Sequence, residues 1–442
     1  MTERAPGRLG FWMTTALVVG NIVGSGVFLL PAALAPLGLS SLSGWLVTAT
    51  GAVLLAFVFA ALSRAFPRDG GPYVFTRAAF GEFAGFVVAW GYWVSIWVGN
   101  AAIATGGVSY LSALFPWIAR GAGASALVTI TLLWVLTLVN CYGVRAAGWV
   151  QSITTLMKLL PLLAVALLGI AVVVVRRDLL AAASGPPLTL GGTQTAATLT
   201  LWALLGLESA TVPADKVEDP EKTIPRATLL GTIATALICA VACTAVLLLV
   251  PGSALPGSNA PFADAVRPFW GDRAATLVIL FAAISAFGAL NGWILLQGEL
   301  PFAMARDGVF PRVFARESSR GTPAFAFVFT SGLVSVMLLM NAHHSMVEVF
   351  KFMILLSTSA CLVAYLVCSL ALLVLMWRGQ LGGARRGTPW LAVAGALGAA
   401  YSLWAIAGAG KDAFLWGGVL LLAALPVRLL MRRAKRHPAP GP

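Results

Sequence analysis

Acidic side chains are scarce in this sequence: 16 Asp and Glu stand among 442 residues, and charged residues of both signs make up only 10%. Soluble globular chains carry about 25% charged residues, so a water-facing domain of this length is excluded. Histidine occurs three times and cysteine five times. Cys141, Cys239, Cys243, Cys361 and Cys368 lie in or beside apolar stretches without metal-ligand spacing, and they read as small packing residues. No GxxxxGKS phosphate cradle, metal-ligand cluster or hydrolase elbow is visible. No cofactor, no metal and no enzymatic activity are therefore expected, and any energy must come from solute or ion gradients. A cleavable signal is not expected either, because the first apolar stretch is too long and runs on into further spans.

What the chain has instead is apolar length. Hydrophobic residues make up 59% and the mean hydropathy is +0.91, as in a polytopic membrane protein. Windows long enough to cross a hydrocarbon core of about 30 Å fall at 11–36, 41–63, 83–116, 124–143, 149–175, 194–213, 227–250, 274–304, 323–340, 345–377, 389–408 and 412–431. The expected fold is an all-α integral membrane protein with about twelve transmembrane helices. Its expected organisation is a cytoplasmic N-terminus over 1–10, a transport core over 11–377, two additional helices over 389–431 and a basic cytoplasmic tail over 432–442.

Lys and Arg retained on the cytoplasmic side set orientation. Arg4 and Arg8, then Arg64, Arg68 and Arg77, Arg145, Lys216 and Lys222, the run Arg306 to Arg320, Arg385 and Arg386, and the basic tail fall on alternate loops. The opposite loops hold fewer, among them Arg120, Arg176, Arg177, Arg267 and Arg273. Both termini are thus expected to be cytoplasmic. This bias, with attraction to anionic membrane lipid, accounts for the net charge of +13, so no nucleic-acid partner is expected.

The first apolar span is interrupted by Gly24, Ser25 and Gly26 near mid-membrane depth, and a second interruption falls at Gly206 within LWALLGLESA. Backbone that leaves a helix inside a bilayer persists only where protein or a polar cavity receives the freed groups. If spans 1 to 5 and 6 to 10 are equivalent, each half opens with a broken helix. An odd number of spans per half opposes their orientations, giving inverted repeats over about 11–175 and 194–377. Secondary transporters hold substrate between such halves, although the glycines alone are equally consistent with close helix packing. Asn21 and Ser25 flank the first break, while Trp202, Glu208 and Ser209 flank the second. An intramembrane carboxylate is a functional candidate by default, and Glu208 is the first candidate for a proton-responsive group, with a structural hydrogen bond as its plainer reading.

Several motifs together carry a resemblance: GNIVGSGVFLLPAALA at 20–35, GGPYVFTRAAFGEFAGF at 70–86, YWVSIWVGN at 92–100, LWALLGLESATV at 201–212, EDPEKTIPRA at 218–227, and GWILL with ARDGVFPRVFAR at 292–316. The chain resembles the amino acid/polyamine/organocation (APC) superfamily from about residue 8 to the last span. Within it the similarity is to the basic amino acid/polyamine antiporters, the group that includes arginine/agmatine exchangers. The resemblance implies a five-helix inverted repeat of LeuT-like type with helices 1 and 6 broken, and it suggests a homodimer.

It also implies roles for residues. Amides at Ser25 and Gly26 would take a substrate carboxylate, and carbonyls near Ile22, Trp202 and Leu205 the α-ammonium. The guanidinium end would meet Asn100, the Trp293 face and Ser357, with Ser95 and Ile96 beside it, and a Trp ring over a desolvated cation contributes about 2 kcal/mol. Trp202 would cap the site, while Tyr92, Glu208 and Tyr365 match an inner gate. Ile96, Ile103 and Ala203 stand where the exchangers have Cys, Met and Ser, which leaves the side-chain end of the pocket altered.

Lys158, in the fifth span, is a further departure from the exchangers and matches several proton-coupled or sodium-independent amino acid transporters of the superfamily. Burial penalises an ammonium, and such a group can stand where a sodium ion would otherwise bridge the first and fifth helices. Its plainer reading is snorkelling to an interface, although it sits about ten residues into the span. His343 and His344, on an expected outer loop before the tenth span, are candidates for sensing acidity, with an ordinary exposed pair as the plainer and favoured reading. The expected function is exchange of a cationic amino acid, with arginine the named candidate, for its decarboxylated amine, agmatine, which serves acid resistance. Proton-coupled symport through Lys158 is the alternative, and a non-transporting membrane sensor is a third reading. The expected location is the bacterial inner membrane.

Overall fold

A computed structural model describes residues 9–23, 26–38, 40–68, 70–120, 123–142, 147–176, 178, 186–211, 214, 217–381 and 389–436, with side chains described over the same ranges apart from 147–156 and 432–436. Gly24, Ser25, Arg4, Arg8, Arg145, Arg177, Lys216, Arg385, Arg386, the side chains of the basic tail and residues 437–442 lie outside the described residues.

The chain is all α. Its helices are α1 (Phe11–Ile22), α2 (Gly26–Leu34), α3 (Ser40–Ala65), α4 (Pro72–Phe80), α5 (Glu82–Leu114), α6 (Trp117–Arg120), α7 (Ala124–Tyr142), α8 (Ala147–Val175), α9 (Leu190–Trp202), α10 (Pro220–Leu249), α11 (Pro261–Arg306), α12 (Ala324–Met340), α13 (Met346–Trp377), α14 (Pro389–Gly408), α15 (Lys411–Leu422) and α16 (Ala424–Arg436). Among the described residues nine helices are long and apolar enough to cross a membrane, and the bent pair α1 and α2 makes a tenth. The other two expected windows fall on α12, 17 residues long, and on α9, which stops after 13 residues because the second break follows it. All twelve windows thus coincide with a helix or a broken helix.

Some boundaries differ from expectation. The eighth span starts earlier, at Pro261, because a helical segment precedes a bend at Gly271, whose φ of 76° only glycine adopts without strain. The last window is split, and α16 continues through Arg436 into the stretch expected to be tail. Local chemistry explains other ends. Pro at the first helical position opens α4, α10 and α11. Ser345 and Glu348 close a capping box on α13: the Glu348 amide donates to the Ser345 hydroxyl, and the Ser345 amide donates to Glu348 Oε2 at 2.9 Å.

The burial pattern is that of a protein solvated by lipid. Leu46, Val174 and Leu237 are 72%, 69% and 65% exposed on span surfaces, whereas the interior seams carry small and hydroxyl side chains. Between α3 and α9, Ser43 and Thr193 pair at 2.7 Å, as do Thr48 and Thr200, and Gly44 lets Ala196 pack so close that no Cβ would fit between them. Close approach and hydroxyl pairing hold helices together where lipid removes the hydrophobic drive for association.

Candidate functional site

Two helix breaks meet at the centre of the bundle. α1 stops at Ile22 and α2 restarts at Gly26, bent by 40°. The first amides of a helix have no partner within it, so the start of α2 turns the positive end of its dipole toward the break. α9 stops at Trp202, and residues 203–208 turn before a short 3-10 segment at Ser209–Thr211. Gly206 has φ +100° and lies against the Asn21 backbone, where a Cβ would come within 3.3 Å of its carbonyl. The indole of Trp202 covers Gly26 so closely that no Cβ would fit there.

Between the breaks lies a narrow cavity with about 30 Å³ of free space. It is lined by Asn21, Ile22, Gly26, Val27, Tyr92, Ser95, Ile96, Gly99, Ile103, Trp202, Ala203, Leu205, Glu208, Trp293, Ser357 and Cys361. Of the expected site residues, Asn21, Ile22, Gly26, Tyr92, Ser95, Ile96, Trp202, Leu205, Glu208, Trp293 and Ser357 come together in this one cavity. Ser25 lies outside the described residues.

The remaining three are buried beside it. Tyr365 and Tyr92 both donate to the fully buried Glu208 carboxyl, Tyr92 to Oε1 at 2.7 Å and Tyr365 to Oε2. Glu208 is thus held by two hydroxyls from α5 and α13, and it joins the second break to both helices. Lys158 is fully buried, and its Nζ donates to the Gly20 carbonyl at 3.1 Å, so it does not snorkel to an interface. Asn100, one helical turn from both Ile96 and Ile103, donates Nδ2 to Gln297 Oε1 at 2.7 Å. On the cavity wall Ser357 donates to the Ser95 carbonyl at 2.7 Å.

The cavity contains residues that the sequence did not single out. Cys361, read there as packing, lines the wall one turn from Ser357. Gly99 admits the Trp202 ring, which would come within 2.8 Å of a Cβ at that position. Its place one residue before Asn100 was the available signal. Val27 follows Gly26 on α2, whereas Gln297, one turn from Trp293 on α11, is buried behind the wall as the partner of Asn100. Among the described residues no group of three His, Cys, Asp or Glu is placed to hold a metal ion.

Residues 9–431 match a family described as amino acid permease. This chain belongs to that family, within the APC superfamily. The permease is accordingly a multi-helix membrane protein of LeuT-like fold. It is 31% identical to the arginine/ornithine antiporter of Pseudomonas aeruginosa, covering 99% of this chain and 93% of that one. It is 33% identical to the cadaverine/lysine antiporter of Escherichia coli over 76% of each chain, and 31% identical to the putrescine transporter PotE of Haemophilus influenzae over 93% and 94%.

Proposed function

We propose that this permease is an antiporter that exchanges a basic amino acid, arginine, for its decarboxylated amine, agmatine. The observation that carries the reading is the single cavity closed by two broken helices, with the α2 amides at one end and the half-buried Trp293 ring on its wall. A carboxylate suits the helix N-terminus, and a cation suits a ring face. Ile22, Ser25, Gly26, Trp202 and Leu205 take the head of the amino acid. Ser95, Ile96, Asn100, Trp293 and Ser357 take its cationic end. Asn21, Tyr92, Glu208 and Tyr365 form the gate, which opens alternately to the two sides. The names of the relatives, each a transporter of basic amino acids or amines, support the substrate class.

The protein works as a homodimer in the bacterial inner membrane, with both termini in the cytoplasm and inverted repeats over 11–175 and 194–377 moving against each other. Exchange of arginine for agmatine, coupled to a cytoplasmic decarboxylase, removes protons and serves acid resistance. The test is labelled arginine uptake into proteoliposomes. Uptake that requires internal agmatine supports exchange, and binding without uptake refutes it in favour of a sensor.

One observation favours a second reading. Lys158 is buried against the last turn of α1, where a group that gains and loses a proton would bias the first break. Proton-coupled symport would then appear as uptake into empty vesicles under an imposed proton gradient.

A further inference from the structure

Asn100, Gln297, Ser331 and Thr137 come from four helices, α5, α11, α12 and α7, and all four are fully buried. Asn100 Nδ2 donates to Gln297 Oε1 at 2.7 Å, Gln297 Nε2 donates to Ser331 Oγ at 2.9 Å, and the hydroxyls of Ser331 and Thr137 lie 2.7 Å apart. Thr137 donates to the Leu133 carbonyl at 2.8 Å. That last bond gives the chain a direction.

A hydroxyl has one hydrogen to donate, and a backbone carbonyl can only accept. Since Thr137 spends its hydrogen on Leu133, Ser331 must donate to Thr137 and accept from Gln297. Gln297 then offers its amide nitrogen to Ser331 and its carbonyl oxygen to Asn100. Asn100 must use its nitrogen toward Gln297, which leaves Oδ1 facing elsewhere. That Oδ1 atom is buried and without a hydrogen-bond partner among the described residues. A buried acceptor left unpaired costs about 1–3 kcal/mol, and Asn100 stands one helical turn from Ile96 and from Ile103, both of which line the cavity.

We infer that Gln297, Ser331 and Thr137 are positioning residues that hold Asn100 as a pure acceptor at the cationic end of the site, and so select a donor-only side chain over a neutral one of the same shape. This rests on the basic amino acid reading above. Ammonium and guanidinium groups carry donors and no acceptor, so they satisfy Oδ1. A ureido group, as in citrulline, has nearly the shape of guanidinium but carries an oxygen in place of one donor nitrogen, so it matches Oδ1 only in orientations that turn an N–H toward it. Sites built around buried polar groups reject analogues that leave those groups unmatched. Nothing in the relay needs to touch substrate.

The experiment measures equilibrium binding of arginine, lysine and citrulline to purified wild type and to Thr137→Val, a change of similar volume. Without the Thr137 hydroxyl, Ser331 is free to donate to Gln297, and the Gln297–Asn100 amide pair reverses. The preference for the better cation over citrulline is expected to fall about tenfold, and Thr137→Ser is expected to restore it. Ser331→Ala, in which Gln297 loses its fixed acceptor, is read in place of Thr137→Val should the latter fail to fold, with a loss of preference expected again. Equal weakening of cation and citrulline, with the ratio unchanged, overturns the inference, because a merely structural role acts on both. A wild type that binds no cationic amino acid overturns the proposed function itself, and the two failures are thereby distinguished.

Discussion

The Lys158 ammonium donates to the Gly20 carbonyl at 3.1 Å and fastens α8 to the last turn of α1, just before the first break. Carbonyls in the last turn of a helix lack a partner within it, and in a membrane interior water cannot supply one. Lys158 fills that place from a neighbouring span. Lys158→Ala removes this hydrogen bond between α8 and α1. Initial uptake rates in proteoliposomes between pH 5 and pH 8 are expected to fall and to change their pH profile. A profile superimposable on wild type would remove Lys158 as a proton-linked group.

Glu208 accepts from Tyr92 and Tyr365 together. A glutamine can accept with its oxygen, but its nitrogen only donates, so Glu208→Gln leaves one tyrosine hydroxyl without its acceptor. The expected loss is about 1–3 kcal/mol of stability, read as a lower unfolding temperature in detergent, together with a flatter pH dependence of transport. Should both quantities match wild type, the carboxyl is neither gate nor proton-responsive.

Trp293 contributes a ring face to the cavity wall. Trp293→Leu keeps an apolar side chain and removes the π face, at a cost of about 2 kcal/mol for a desolvated cation. Arginine affinity is expected to drop roughly thirtyfold while the unfolding temperature changes little. Equal affinity in wild type and variant would sink this assignment.

Gly206 is held at φ +100° against the Asn21 carbonyl. Gly206→Ala combines strain of about 1–3 kcal/mol with a crowded contact that pushes the two breaks apart. Reduced thermal stability and weakened binding are expected together. Calorimetry of the variant that returned wild-type values for both would show that the second break tolerates a side chain there.

Much of this architecture was legible because the bilayer imposes a length on every span. The twelve windows each fall on a helix or a broken helix, the first break lies between Ile22 and Gly26, and the LLGLES interruption falls on the second. Gly206 could be read as a break because few residues other than glycine permit its backbone path. Trp293, Ser357 and Asn100 were located through motif context alone. Cys361 and Val27 were missed, since nothing in their local sequence separates a lining residue from a packing one. Gln297 was passed over for a similar reason: its partners Asn100 and Ser331 are far along the chain in one direction or on another helix.

The sequence by itself determined the solvent, the number of spans and where two helices must come apart, because each of these follows from hydropathy and local backbone chemistry. Only the tertiary structure decided which polar groups face one another: Lys158 on Gly20, two tyrosines on Glu208, and the relay from Thr137 to Asn100. Hydrogen bonds between distant residues depend on how helices pack, and the order of residues along a chain carries no direct record of that packing.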